Sequence, residues 1–155
     1  MRTILMMLIV AFCAISCSDE EKESWTVVDI SGQYTGYTNA TSAYFKDRYT
    51  DNESMNMIPR EGGTLSLTYE SATWGTFRVE KVSVVKQGSE FLLSGEGRVA
   101  LGMGDTKTEY DFTVKGSVTE GKTKYQITFA VPAVMGGLTI TLQPGKAPQT
   151  ETPTK

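Results

Sequence analysis

Beyond residue 27 the chain alternates apolar and polar positions with period two, the mark of strands that bury one face. In residues 28–36 one parity carries Val28, Ile30, Gly32, Tyr34 and Gly36, and glycine on that parity predicts a sharply bent strand or a close neighbour. Leu65, Leu67 and Tyr69 alternate with Thr64, Ser66 and Thr68, and Phe77 and Val79 continue the scheme after a turn at residues 72–75. The apolar parity then switches across Glu80 and Lys81 to Val82 and Val84, a shift that one inserted residue, a β-bulge, restores. Two long strands follow, with Phe91, Leu93, Gly95, Gly97, Val99 and Leu101 on one parity and Tyr110, Phe112, Val114, Gly116 and Val118 on the next. Turn chemistry separates them at residues 102–105. After a tight connection at Glu120 and Gly121, Tyr125, Ile127, Phe129 and Val131 alternate with polar partners. Residues 132–137 break the pattern, and Leu138, Ile140 and Leu142 finish it.

Strands in sequence joined by short turns describe an up-and-down antiparallel meander, whose single apolar face must be covered. Long strands with inward glycines suit a strongly coiled sheet, so the expected fold is all-β, a meander closed into a barrel of about eight strands. Over residues 28–143 the chain resembles the calycin-like lipoproteins of Bacteroidetes, relatives of the lipocalins. The resemblance is carried by the opening Gly32-x-Tyr34-x-Gly36, the run of hairpins, and the closing Phe129-x-Val131-Pro132 to Leu138-x-Ile140. Tyr34 stands where lipocalins carry a tryptophan.

One long interruption stands out. Residues 39–62 show no strand alternation yet carry Tyr44, Phe45, Tyr49, Met55, Met57 and Ile58, and a structureless loop longer than about 12–15 residues in a compact domain is usually functional or disordered. So many large apolar side chains argue that the loop packs on something. By the calycin resemblance this connection is a lid over the barrel mouth, and its alternative is a cap that simply closes the barrel. Candidate ligand contacts are Tyr34, Tyr44, Phe45, Tyr49, Met57 and Trp74, with Trp74 and Tyr37 as sugar-stacking positions if the ligand is a glycan. Asp47, Asp51, Asn52 and Glu53 lie in the same loop, but their spacing does not match a calcium loop and they read as solvated.

The N-terminus adds an address. Arg2, an apolar run from Ile4 to Ile15, small residues and a cysteine follow one another as in an export signal. The run has 12 residues, too short to span a bilayer, which takes about 20. Ala14-Ile15-Ser16-Cys17 resembles the lipobox of bacterial lipoproteins, which implies cleavage after residue 16 and an acylated Cys17 that fixes the chain to the outer membrane. Ser18, Asp19, Glu20 and Glu21 resemble a surface-export signal of Bacteroidetes lipoproteins, which implies display on the cell exterior. The expected organisation is a signal peptide at 1–16, an acidic tether at 17–26, a barrel domain at 27–143 and a disordered tail at 144–155, which has three prolines and no large apolar residue.

Composition narrows the chemistry. Cleavage removes Arg2 from the 15 basic residues and leaves 14 against 18 acidic ones, with no basic cluster suited to nucleic acid. The chain has no histidine, and Cys17 is its only cysteine outside the signal. Common triads, the most usual general base and thiol-based metal sites are therefore missing, and no metal or cofactor is expected. Inward positions read as Val, Leu, Phe, Tyr and Gly, an apolar interior without a proton-transfer group. The expected function is non-catalytic: a surface lipoprotein that holds a small apolar ligand or peptide at the barrel mouth. The alternative is a filled barrel acting as an interaction or glycan-binding accessory module. The sequence leaves the oligomeric state open.

Overall fold

A computed structural model describes residues 25–149. Eight strands follow in chain order: β1 (Gly32–Thr41), β2 (Arg48–Arg60), β3 (Thr64–Ser71), β4 (Gly75–Gln87), β5 (Glu90–Met103), β6 (Thr106–Thr119), β7 (Tyr125–Val131) and β8 (Leu138–Pro144). Each pairs antiparallel with the next, and β8 returns to β1 with Gly36 opposite Pro144 and Thr41 opposite Thr139. The sheet is a closed up-and-down barrel, as the alternation predicts.

Closure demands tight approach between strands, and glycine permits it. A Cβ on Gly36 would lie 1.8 Å from the Gln143 carbonyl oxygen where β1 meets β8, and one on Gly97 would lie 2.4 Å from the Arg78 carbonyl oxygen where β5 meets β4. The expected bulge in β4 is present. Leu67 faces Val79 and Leu65 faces Val82, so three steps on β4 oppose two on β3 across Glu80 and Lys81. Inward residues of β3 through β8 follow the parities read from the sequence, and Leu65, Phe77, Val79, Val82, Val114, Phe129 and Ile140 are all buried.

The core is aromatic. Tyr69 stacks on Phe129 at 5.0 Å, Phe77 meets Phe112 edge-on at 5.0 Å, and Phe77 and Phe129 lie 5.2 Å apart. Each such pair is worth about 0.5–1.5 kcal/mol beyond the area it buries. These rings come from β3, β4, β6 and β7 and meet across the barrel interior.

Three sequence expectations are corrected. Residues 28–36 are not one strand: Val27–Ile30 form a 3-10 helix, and β1 starts at Gly32. The Thr26 backbone N–H donates to Asp29 Oδ2 at 2.8 Å while Thr26 Oγ1 accepts from the Val28 N–H at 3.2 Å, a capping box that satisfies the first turn locally. Val27 and Ile30 are both buried and Val28 is 60% exposed, so the inward spacing here is three and not two.

The interruption at residues 39–62 is likewise no long loop. It is the β1–β2 hairpin, with a connection at residues 42–47. Alternation was masked because Gly36 faces Glu53 while Thr38 faces Thr50, which inserts one extra residue into β2 next to Asn52 at φ +59°. The bulge puts polar Thr50 and Glu53 on the inward side, and Ile58 points out.

Finally, the tail does not begin at Pro144, which closes β8 against Gly36. The chain stays on the barrel wall at least to Ala147, whose N–H donates to Asp51 Oδ1 at 2.8 Å.

Candidate functional site

The barrel has two ends. At the chain-start end lie the 3-10 helix and the β2–β3, β4–β5 and β6–β7 connections. The far end carries residues 42–47, the β3–β4 turn at 72–74, the β5–β6 turn and residues 132–137.

The six candidate contacts separate between these places. Tyr34 is buried at the chain-start end, where its hydroxyl donates to the Ile30 carbonyl and its ring meets Tyr125 edge-on at 4.9 Å. Burial pushes the Tyr34 phenol well above its ordinary range, with a smaller push from Tyr125. Met57 is a core side chain on β2. Tyr49 faces outward near the far end, its ring 6.1 Å from that of Tyr37 on β1. Tyr37 in turn donates to Gln143 Oε1 at 3.3 Å.

Phe45, Trp74 and Tyr44 come together at the far end. Phe45 and Trp74 stack at 6.0 Å with 27° between their planes, and the Arg48 guanidinium carbon lies 5.2 Å from the Phe45 ring centre. Tyr44 next to them is 81% exposed. The local chain explains the arrangement: the Ser42 N–H donates to the Phe45 carbonyl at 2.9 Å, closing a tight loop, and the Ala43 N–H ties that loop to the Met135 carbonyl at 3.1 Å. Ser71 Oγ accepts from the Trp74 N–H at 3.2 Å and sets the indole over the barrel end. Trp74 Nε1 is buried with no hydrogen-bond acceptor among the described residues. Cys17 and Ser18, Asp19, Glu20 and Glu21 lie outside the described residues.

The interior also holds a group that the sequence reading did not place there. Glu53 is buried and accepts a hydrogen bond from the Tyr69 hydroxyl. Burial raises the Tyr69 phenol well above its usual range, and the hydrogen bond it donates to Glu53 adds to the rise. The expectation of a purely apolar interior is therefore wrong. A signal existed, since Glu53 shares the parity of Met55 and Met57 and would have been read inward had β2 been recognised as a strand. The extra residue in β2 explains why Asp51 and Glu53, two positions apart, do not act together: Asp51 accepts from Ala147 on the outer wall while Glu53 faces the core.

Eight antiparallel strands closed in sequence order, with the interior lined by alternate residues of every strand, define an up-and-down barrel. Residues 30–143 match the calycin-like β-barrel domain, and the chain belongs to that family. Among solved structures it is similar to a Bacteroides fragilis protein provisionally assigned to the outer membrane, at 34% identity with a TM-score of 0.63. The similarity covers 75% of this chain and 44% of that one, so this chain spans less than half of that protein's length. A search of curated proteins finds no match.

Proposed function

We propose that the protein is a non-catalytic outer-membrane lipoprotein, held by acylated Cys17, that acts as an interaction module through the outside of its barrel. The observation that carries this reading is the filled interior: Tyr69, Phe77, Phe112 and Phe129 occupy with their own rings the space an apolar ligand would need. That filling favours the interaction module over the carrier of a small apolar molecule. The similar Bacteroides protein, with its provisional outer-membrane assignment, supports the location. The position of the chain start supports the orientation, because residue 25 enters opposite the Phe45–Trp74 stack. An anchor at Cys17 then holds the chain-start end toward the lipid and turns Tyr44, Phe45 and Trp74 outward. The acidic residues Asp19, Glu20 and Glu21 are the export signal that brings the module to the exterior.

The test combines anchoring with an interior probe. Wild-type protein is expected to label with palmitate and to be cut by external protease, Cys17→Ser to lose the label, and the triple Ala variant of Asp19, Glu20 and Glu21 to become protected. An apolar fluorescent probe is expected to show no saturable binding. Saturable binding at one site per barrel would restore the carrier reading.

A further inference from the structure

On the outer wall of β1 to β4 lies a groove of 560 Å³ lined by Gln33, Ser54, Asn56, Thr68, Glu70 and Arg78. Its size falls within the range of about 300–1,000 Å³ usual for small-molecule sites. These side chains are scattered along the sequence, but the register brings them into two rows. Gln33 faces Asn56, Asn56 faces Thr68 and Thr68 faces Arg78, one row across four strands. Ser54 opposite Glu70 forms the second row beside it. With strands about 4.8 Å apart, the first row runs for roughly 14 Å.

Parts of the outer wall pair their polar groups with one another. Arg98 pairs with Asp111 at 3.1 Å, Arg60 Nε donates to Ser66 Oγ at 3.0 Å, and the Thr128 and Thr141 hydroxyls lie 2.9 Å apart. The groove differs. None of its six polar side chains has a hydrogen-bond or ion-pair partner among the described residues, although Glu70 and Arg78 sit in adjacent rows. Two carboxamides, two hydroxyls, a carboxylate and a guanidinium converge with their bonding capacity unspent.

We infer that this groove binds a neutral oligosaccharide lying across the strands. Sugar hydroxyls both donate and accept, so they match carboxamides that do the same, a carboxylate that accepts and a guanidinium that donates. Glu70 and Arg78 offset one another in charge, which removes the drive for a charged ligand. Met55 beneath the groove is buried, so a peptide finds no apolar subsite for its side chains. The inference rests on the reading that the barrel works through its exterior and adds to it a site and a ligand class.

The experiment titrates the full chain in detergent with short neutral oligosaccharides, with uronic-acid-containing ones and with polar peptides. Parallel titrations use Asn56→Ala, Arg78→Ala and Phe45→Ala. The expected result is saturable, weak binding of a neutral oligosaccharide that changes little with salt. Asn56→Ala or Arg78→Ala should weaken it by about tenfold or more, as for a lost set of hydrogen bonds, with unchanged urea midpoints because both side chains are exposed. Phe45→Ala should leave it unchanged. Absence of binding by every neutral oligosaccharide overturns the proposal, as does preference for the acidic sugars or peptides, or binding indifferent to Asn56 and Arg78. Binding lost only in Phe45→Ala would sink the groove while leaving the far end as the working surface.

Discussion

The two ends of the barrel are closed by different physics. At the chain-start end, ties run between separate parts of the chain: Lys122 Nζ donates to the Ser31 carbonyl at 2.9 Å, the Tyr125 hydroxyl donates to the Thr35 carbonyl, and the Glu120 N–H donates to the Ser89 carbonyl at 2.9 Å. Trp25 packs edge-on against Phe91 at 5.3 Å outside the buried Val27 and Ile30. At the far end most polar bonds stay inside one loop, as between Ser42 and Phe45 or Asn39 and Asp47. There the cover is an aromatic stack with an unpaired indole N–H and the exposed Tyr44 and Met103 beside it. Directional bonds between distant segments fix one arrangement, whereas an apolar stack over short loops tolerates exchange of contacts. The fold thus ties down the end where the chain enters and leaves the opposite end able to trade partners.

Four variants would break or sharpen that contrast. Ile30→Ala removes a fully buried side chain from the tied end and should cost about 2–5 kcal/mol in urea unfolding. A cost near zero would mean that the 3-10 helix is not part of the cooperative unit. Tyr34→Phe leaves the ring and removes the donor to Ile30, for an expected loss of about 1–3 kcal/mol at neutral pH.

The same variant carries a pH signature. Because the Tyr34 phenol is held above its unfolded value of 10.0, the native state keeps a proton that the unfolded chain releases. Stability is full below about pH 10 and falls as pH rises beyond it, and Tyr34→Phe should make that alkaline fall shallower. An unchanged slope, read from unfolding midpoints above pH 10, would leave Tyr69 and Tyr125, whose phenols burial also raises, responsible.

At the far end the expected costs are smaller. Phe45 is only partly buried, so Phe45→Ala should lose about 1–2 kcal/mol, and a loss as large as that of Ile30→Ala would make both ends equally rigid. Trp74→Phe removes an N–H that has no acceptor, which offsets part of the lost area; a change within about 1 kcal/mol is expected by thermal unfolding.

Six of the eight strands were legible from period-two alternation alone, because β3 through β8 place apolar residues inward and polar residues outward with one bulge between Val79 and Val82. The failures have specific causes. Val28 and Ile30 alternate like a strand, but Thr26 and Asp29 close a capping box that alternation does not register. In β2 the extra residue near Asn52 reverses parity, and an inward carboxylate and an outward Ile58 reverse polarity as well, so a strand looks like a loop. Of the candidate contacts, the meeting of Phe45 with Trp74 needs the closed barrel to bring residues 29 positions apart into stacking, though both were flagged by type. The outer groove was invisible because its residues are separately unremarkable polar positions on strands, and only the register of four strands sets Gln33, Asn56, Thr68 and Arg78 in line.

Closure of β8 onto β1 has a further effect on what kind of partner can dock. An open sheet offers its outermost strand as a template to which an extended peptide can add by main-chain hydrogen bonds, with little regard to sequence. This barrel has no outermost strand. Its ladder is interrupted between β4 and β5, where Arg78 faces Arg98 and Ser83 faces Ser94. Gly95, Glu96 and Gly97 there are too short a run to template an added strand. A partner docking on this barrel must therefore be read by side chains, which makes docking dependent on sequence and keeps neighbouring copies from zipping together through their backbones.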